Sequence, residues 1–359
     1  MDLQDQFDGF TGRDWQTVAE GGPIRFAVIG LGWWTRDEAI PAIQESELCE
    51  TTVAVSSTTA KAEGVADSVE TIDHALTYEE FHDGAARDAY DAVYIATPNS
   101  KHLEYVDSAA SFGKDILCEK PMEATLERAE ALVETCQDRD VTLMVAYRMQ
   151  TEPAVRWARE LVGDGFIGDP VYAHSHLSQR LLEMIPNPDQ WRLNPDLTGY
   201  GTSVMDLGPY PVNTTRFILD MDPSGVMAKA ASAGEAFSDV PDENAAFILT
   251  FPDNCYAACT VSQNASQTSR LSIVGLEGEL TIEPAFFPHH PREVTVRRSG
   301  TTATFEFEMV DQMLEEFDYF ADCVISGRTP VPDGPHGVTD MRILKAIYDS
   351  AESDESIDL

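Results

Sequence analysis

Ile24-Arg25-Phe26-Ala27-Val28-Ile29-Gly30-Leu31-Gly32 is an apolar, β-branched run that stops at two glycines one residue apart. Such a run reads as a buried strand entering a tight turn, and the residues from about Thr35 to Glu47 read as the helix that follows. Working outward, Thr51–Val55, Ala89–Ala96, Ile116–Cys118 and Thr142–Ala146 are further strands, with helical stretches at Ser100–Phe112 and Leu126–Asp138 between them. Strand and helix alternating in this way predict an α/β, doubly wound parallel sheet over residues 23–148. Residues 1–22, polar and acidic with isolated Phe7, Phe10 and Trp15, form an arm that is either frayed or docked on another subunit.

After residue 148 the pattern changes. A helix at Pro153–Leu161 leads to a strand at Val171–Gln179, a Pro/Asn-rich loop, a helix near Thr202–Leu219, and a run of strands from about Val226 to Phe307. Strands in succession predict a mostly antiparallel sheet, so residues 149–359 form an α+β second domain. Helices at Asp311–Ser326 and Val338–Ser350 close it, with room for either to pack back on the first domain, and Glu352-Ser353-Asp354-Glu355 is a solvated tail.

The 359 residues carry 24 Lys+Arg against 62 Asp+Glu, a net charge of −38. That surface repels phosphate backbones and anionic lipid, which argues against nucleic-acid and membrane-surface roles. With 43% hydrophobic residues in periodic blocks, the acidity suits concentrated salt, where the Debye length of about 3 Å screens self-repulsion. No run reaches the ~18 apolar residues of a membrane span, and the first residues have neither a basic nor an apolar region, so a halophilic cytoplasmic protein is expected. Cys49, Cys118, Cys136, Cys255, Cys259 and Cys323 lack framework spacing and read as reduced, buried thiols.

Gly30-Leu31-Gly32-Trp33-Trp34-Thr35 keeps the first two glycines of a dinucleotide fingerprint, for the turn and for close approach of a pyrophosphate, with Thr35 in place of the third. The second strand runs into Ser56-Ser57-Thr58-Thr59-Ala60-Lys61 with no acid before Glu63. Hydroxyls and a lysine accommodate a 2′-phosphate where a carboxylate repels it, so NADP is expected over NAD; a plain polar turn would leave the choice open. Ligands of open α/β sheets bind at the carboxyl ends of the strands. Thr97-Pro98-Asn99 with His102, Glu119-Lys120-Pro121 and Tyr147-Arg148 all fall there, making Thr97, Pro98, Asn99, His102, Glu119, Lys120 and Arg148 cofactor candidates and Tyr147 a substrate candidate. Lys120 stands out because the chain has only five other lysines, Lys61, Lys101, Lys114, Lys229 and Lys345.

These motifs, with Gly201-Thr202-Ser203-Val204-Met205-Asp206-Leu207-Gly208-Pro209-Tyr210, resemble the glucose–fructose oxidoreductase / inositol dehydrogenase family of NAD(P)-dependent sugar and polyol oxidoreductases over roughly residues 24 to 350. The resemblance implies a Rossmann domain, a second domain with a large open sheet often used for dimer contacts, and a homodimer or homotetramer. It implies that Lys120 is catalytic, together with Asp206 and Tyr210. Tyr210 stands where His is commoner, which places the chain with the sugar-oxidising branch. Within the family it is most similar to the branch that oxidises D-xylose at C1 with NADP in salt-loving microbes, giving the 1,5-lactone.

Dehydrogenation of a cyclic hemiacetal needs a base for the anomeric hydroxyl while hydride leaves C1. A phenol ordinarily titrates near ~10, and an adjacent ammonium favours its phenolate. Tyr210 is therefore read as the base, Lys120 as its charged partner and Asp206 as the acceptor that orients Lys120 or a sugar hydroxyl, Asp206 and Tyr210 sharing a helix face at four-residue spacing. Trp191, Arg192 and Asn194 suit a sugar's C–H face and hydroxyls, with a packing loop as the competing reading; Gln179 and Asn213 are further substrate candidates. His174-x-His176 lacks a third ligand at motif spacing and reads as pocket wall or core, so no metal is expected. Another aldose with tightly held NADP, or a redox-silent NADP-binding sensor, are the alternatives.

Overall fold

A computed structural model describes residues 3–13, 15 and 22–359. The first six strands are β1 (Ile24–Ile29), β2 (Cys49–Ser56), β3 (His74–Thr77), β4 (Ala92–Ile95), β5 (Asp115–Glu119) and β6 (Leu143–Ala146). They form one parallel sheet in the order β3-β2-β1-β4-β5-β6, with Ile29 paired to Val55 on one side and Ile95 on the other. This is the doubly wound order whose direction reverses beside β1, where ligands sit beyond the strand ends. Phe26, Ala27, Val28 and Ile29 are all fully buried, because helices cover both faces of a parallel sheet; hence the continuous apolar run rather than alternation.

Gly30 ends β1 at φ +92°, and a Cβ there would stand 2.6 Å from the Ala96 carbonyl oxygen. Only glycine permits both the left-handed backbone and the approach of β4's end. The next helix carries a π-helical segment at Thr35–Ala39 before the α-helix Ile40–Glu45. Ile40 N–H reaches back five residues to Thr35, and Pro41 has no N–H to offer a regular ladder. β3 escaped the sequence expectations because four residues at a sheet edge carry little periodicity.

The contacts divide the chain into two units, one of Trp15–Arg148 and Asp311–Val338, the other of Met1–Asp14, Met149–Val310 and Thr339–Leu359. In the first, the helix Gln312–Ser326 starts at Asp311, whose side chain accepts from Met313 and Leu314 N–H at 2.9 and 3.1 Å. Its Phe317 ring meets Phe26 at 5.3 Å and Tyr94 at 5.0 Å.

The second unit holds β7 (Pro170–Arg180), β8 (Gly225–Ala231), β9 (Asn244–Thr250), β10 (Tyr256–Ser262), β11 (Asn264–Gly275), β12 (Gly278–Glu283), β13 (Arg292–Arg298), β14 (Thr301–Phe307) and β15 (Ile357–Asp358). The sheet order is β14-β13-β12-β11-β7-β10-β9-β8-β15. Every pairing is antiparallel except β7 with β10. β9 and β10 alternate buried and exposed residues, as strands with one covered face do. In the described part of the N-terminal arm, the helix Leu3–Gly9 sets Phe7 against Trp157, Phe305 and Phe307 at 5.5, 4.8 and 5.1 Å. This described helix thus packs on its own chain. All six cysteines are buried and free.

Candidate active site

Gly32 has open space where a Cβ would stand, leaving its backbone bare to a ligand at the turn after β1. Thr35 is fully buried and its hydroxyl donates to the Gly30 carbonyl at 2.6 Å, closing that turn. Thr35 thus brings a hydrogen bond to the third glycine's place. At the ends of β2 and β4 the hydroxyls of Ser56 and Thr97 are buried with no hydrogen-bond partner, a state that asks for one. Ser57, Thr58 and Lys61 are exposed at the start of the helix Thr59–Ala66, which Thr58 caps by accepting from Lys61 N–H at 3.4 Å. An open glycine, orphaned hydroxyls and a lysine turn without a carboxylate fit a phosphorylated dinucleotide.

Trp34 donates from Nε1 to Tyr94 Oη and Glu119 Oε1, both at 3.1 Å, and Tyr94 donates to the same Glu119 oxygen at 2.6 Å. The other oxygen, Oε2, accepts from the Lys120 backbone N–H at 3.1 Å. Glu119 is therefore committed to three donors that fix the backbone from which Lys120 projects. Trp33 is 37% exposed and stands edge-on to Trp34 at 5.4 Å. Arg148 is buried, bonded to Gln312 and over the Trp34 ring at 6.0 Å. Glu316 is 1% exposed and neither carboxyl oxygen has a hydrogen-bond partner. Burial, and then Glu119, push its carboxyl well above the usual carboxylate range against the pull of Arg148 and Lys120.

Around this, the strand-end loops are braced. His102 is fully buried with Nε2 2.9 Å from the Thr97 carbonyl and Nδ1 3.2 Å from that of Met122. Its ring lies between the loop after β4 and the loop after Lys120. Asn99 is 3% exposed and begins a short 3-10 turn after Pro98. Glu123, also fully buried, accepts from Leu103 N–H at 3.1 Å and from Arg128 at 2.8 and 3.0 Å. Tyr147 is buried with its ring 5.9 Å from His336.

In the other unit the segment predicted as one helix over 202–219 is two, Ser203–Asp206 and Pro209–Leu219. Pro209 and Pro211 supply no N–H, and a side chain at Gly208 would collide with the Val204 carbonyl. Gly208 N–H instead reaches Ser203 O at 3.1 Å. Asp206 and Tyr210 therefore do not share a regular helical face, as their spacing had suggested. Asp206 Oδ2 accepts from Gln263 Nε2 at 2.8 Å and Arg192 Nε at 3.2 Å, Arg192 and Asp206 being 18% and 17% exposed. The Arg192 guanidinium lies over Trp191 at 4.5 Å, and the Tyr210 ring is 6.0 Å from Phe286. Gln179 donates to Gln263 Oε1 at 2.9 Å.

Beneath that segment, the fully buried Asp242 accepts from Thr202 N–H at 2.6 Å, Val204 N–H at 2.7 Å and Tyr348 Oη at 2.7 Å. A side chain at Gly201 would strike the Asp242 carboxylate, which accounts for the glycine in Gly199-Tyr200-Gly201. Burial pushes the Asp242 carboxyl up to about 6 despite these donors.

Asn194 caps the turn Pro195–Thr198, accepting from Asp196 N–H at 3.0 Å. Asn213 is 1% exposed, accepting from Gln150 at 3.0 Å and donating to Asp340 at 2.7 Å, so its amide serves the interior. His174 and His176 line a shallow cavity of about 480 Å³ on the sheet with Met227, Lys229 and Ile248. Burial lowers the His176 pKa. Gln263, Asp242 and Glu316 escaped the sequence expectations.

A family model described as "Oxidoreductase family, NAD-binding Rossmann fold" matches residues 24–147, and one described as "GFO/IDH/MocA C-terminal domain" matches residues 155–281. The chain is 53% identical to a D-xylose 1-dehydrogenase [NADP(+)] of Haloarcula marismortui, over 98% of both chains. A D-xylose 1-dehydrogenase (NADP(+)) of Haloferax volcanii is 32% identical over 94% of this chain and 100% of that one. Among solved structures, an aldose–aldose oxidoreductase from Caulobacter crescentus superposes with a TM-score of 0.88 at 28% identity, covering 94% of this chain and 100% of the other. From both halves of the sequence and from these relatives alike, the chain belongs to the GFO/IDH/MocA family of oxidoreductases.

Proposed function

We propose that this protein oxidises the pyranose form of D-xylose at C1 to D-xylono-1,5-lactone with NADP, the first step of an oxidative pentose breakdown. The observation that carries the reading is its likeness, along nearly the whole of both chains, to the haloarchaeal xylose dehydrogenase. The lysine-bearing, carboxylate-free turn after β2 supports NADP over NAD.

NADP, when bound, supplies the acceptor for the hydride that leaves C1. The chain's residues manage the rest. The Gly30–Thr35 turn with Ser56, Ser57, Thr58, Lys61, Thr97, Pro98, Asn99 and Arg148 would hold the dinucleotide. Tyr210 takes the proton of the anomeric hydroxyl, so that one C–H and one O–H bond break as the C1–O double bond forms. Lys120 places positive charge where negative charge grows on that oxygen. Asp206 accepts from a sugar hydroxyl, and Trp191 and Arg192 supply an apolar face and a donor. Lys120→Met should lower turnover by about 100-fold or more with NADP still quenching tryptophan fluorescence; near-normal turnover would sink these roles.

The test of the function is reduction of NADP or NAD by the purified protein in molar salt with D-xylose, L-arabinose, D-ribose and D-glucose. Rapid NADP-dependent oxidation of xylose supports the reading, and no turnover with any sugar rejects it. A second reading, transfer between two aldoses on a retained cofactor, draws support from the structural likeness to the Caulobacter enzyme. A cofactor that survives gel filtration would favour it.

Assembly and setting belong to the same proposal. Tyr172, Met227, Ile248 and Tyr256, on neighbouring strands β7 to β10, are 41–51% exposed, and an apolar face of that kind supports a homodimer or homotetramer through this sheet. A monomer in sedimentation at molar salt would reject that. The net charge of −38 supports a halophilic, cytoplasmic enzyme; unchanged activity and folding in dilute buffer would count against the halophilic part.

A further inference from the structure

Asp206 does not set its own orientation. Two donors grip the same carboxylate oxygen, and they differ in kind. Arg192 is partly exposed and lies over Trp191. Gln263 is fully buried, at the one-residue junction between β10 and β11, and its amide is used at both ends. Oε1 accepts from Gln179 Nε2 at 2.9 Å, and Nε2 donates to Asp206 Oδ2 at 2.8 Å. A carboxylate only accepts, so the chemistry assigns the amide nitrogen to the Asp206 side.

The backbone of Gln263 is tied to the same segment. Its N–H meets Ser203 Oγ and the Glu243 carbonyl, each at 3.1 Å, and Ser203 Oγ donates to that carbonyl at 2.8 Å. Its own carbonyl accepts from Leu181 N–H at 2.9 Å. The four residues Ser203–Asp206 are thus anchored to Gln263 at both ends, by backbone at one and by side chain at the other.

We propose, resting on the aldose-oxidation reading above, that Gln263 is a positioning residue of the reaction. It holds Asp206 by Oδ2 in one orientation toward the substrate, and Gln179 locks the amide that does so. No other neutral side chain accepts from Gln179 and donates to Asp206 with the same reach. Among the described hydrogen bonds, the charged groups joined in this cluster are Asp206 and Arg192; the Glu243 carboxylate is turned away to Ala233 N–H, Gly234 N–H and Asn264.

The geometry makes the isosteric variant the sharpest probe. Gln263→Glu puts a second carboxyl group at hydrogen-bond distance from Asp206, and the two coexist only by sharing a proton. The experiment compares wild type, Gln263→Glu, Gln263→Leu and Gln179→Leu in molar salt, measuring kcat and KM for D-xylose against pH, with NADP quenching of tryptophan fluorescence and Tm alongside. Misplacing Asp206 in Gln263→Leu should cost about 10- to 100-fold in kcat/KM with NADP affinity unchanged, and Gln179→Leu should follow in the same direction by less. Gln263→Glu should show an activity that falls as pH rises through a titration absent from wild type.

Wild-type kinetics and pH profile in all three variants would overturn the proposal. So would a Gln263→Leu that loses Tm and activity together while Gln263→Glu gains no new titration, since that assigns the side chain to folding alone. A wild type inactive on every aldose would instead bring down the reaction reading, and this inference with it.

Discussion

Asp242→Asn separates the stability of the second unit from the placement of the segment Ser203–Asp206. In the wild type, burial lifts the Asp242 carboxyl from its ordinary 3.8 to about 6. The folded state then holds a proton more tightly than the unfolded chain does. The group's contribution to stability is full below about pH 4 and is lost as pH rises through about 6, a change of about 3 kcal/mol. The amide does not titrate, so this loss is absent from the variant. The amide also offers one acceptor where Thr202 N–H, Val204 N–H and Tyr348 Oη all donate, and stranding a donor costs about 1–3 kcal/mol. Wild type should therefore be the more stable near pH 4, and the gap should close or reverse above about pH 6.5. Urea denaturation followed by tryptophan fluorescence in molar salt measures the gap; the chain's many other carboxylates cancel in the difference. Turnover should fall in the variant even where stability does not, because Asp242 seats the turn that leads to Asp206. A gap that widens with pH would refute the reasoning, since it would mean that the three donors outweigh burial.

Lys61→Glu should raise the KM for NADP at least about 10-fold while leaving NAD less affected, because it puts a carboxylate where the 2′-phosphate is expected; an unchanged ratio of kcat/KM for the two cofactors would remove Lys61 from the site. Gly30→Ala and Gly32→Ala should behave oppositely. At Gly30 the left-handed backbone and the contact with Ala96 should lower stability by about 1–3 kcal/mol, whereas at Gly32 Tm should hold and NADP affinity should fall; equal effects on both readouts would contradict the geometry. Glu316→Gln tests the buried acid: burial raises its carboxyl pKa in the folded state, so the wild type loses stability as pH rises above the ordinary glutamate range. The variant should therefore gain on the wild type in urea midpoint as pH rises from the acid side, and parallel curves would show that burial does not raise the Glu316 pKa.

What was legible in the sequence was local. Ile24–Gly32 declares a buried strand and a left-handed turn within nine residues, and Gly30 is explained by one neighbour, Ala96. Lys120 was conspicuous because lysine is rare in this chain and because it closely follows the apolar run Ile116-Leu117-Cys118. The break at Leu207–Gly208 was locally written too, in Gly208-Pro209-Tyr210-Pro211.

What stayed hidden depends on distant partners and on context that composition obscures. Gln263 reaches Asp206 across 57 positions and Asp242 reaches Val204 across 38, and no motif spacing links them. Among 62 acidic residues a solvated surface is the default for any Asp or Glu, so an acid such as Glu316, in an amphipathic helix beside Glu315, carries no mark of its burial. The acidity that suggested a salt-rich setting thus also concealed these buried carboxylates. In such a chain the acids worth mutating are those that charge alone would place on the surface and that packing puts in the interior, as it does Asp242, Glu123 and Glu316. Because buried charge is costly unless it is paired or neutralised, each of the three has its own answer: donors for Asp242, Arg128 for Glu123, and a carboxyl pKa raised by burial for Glu316.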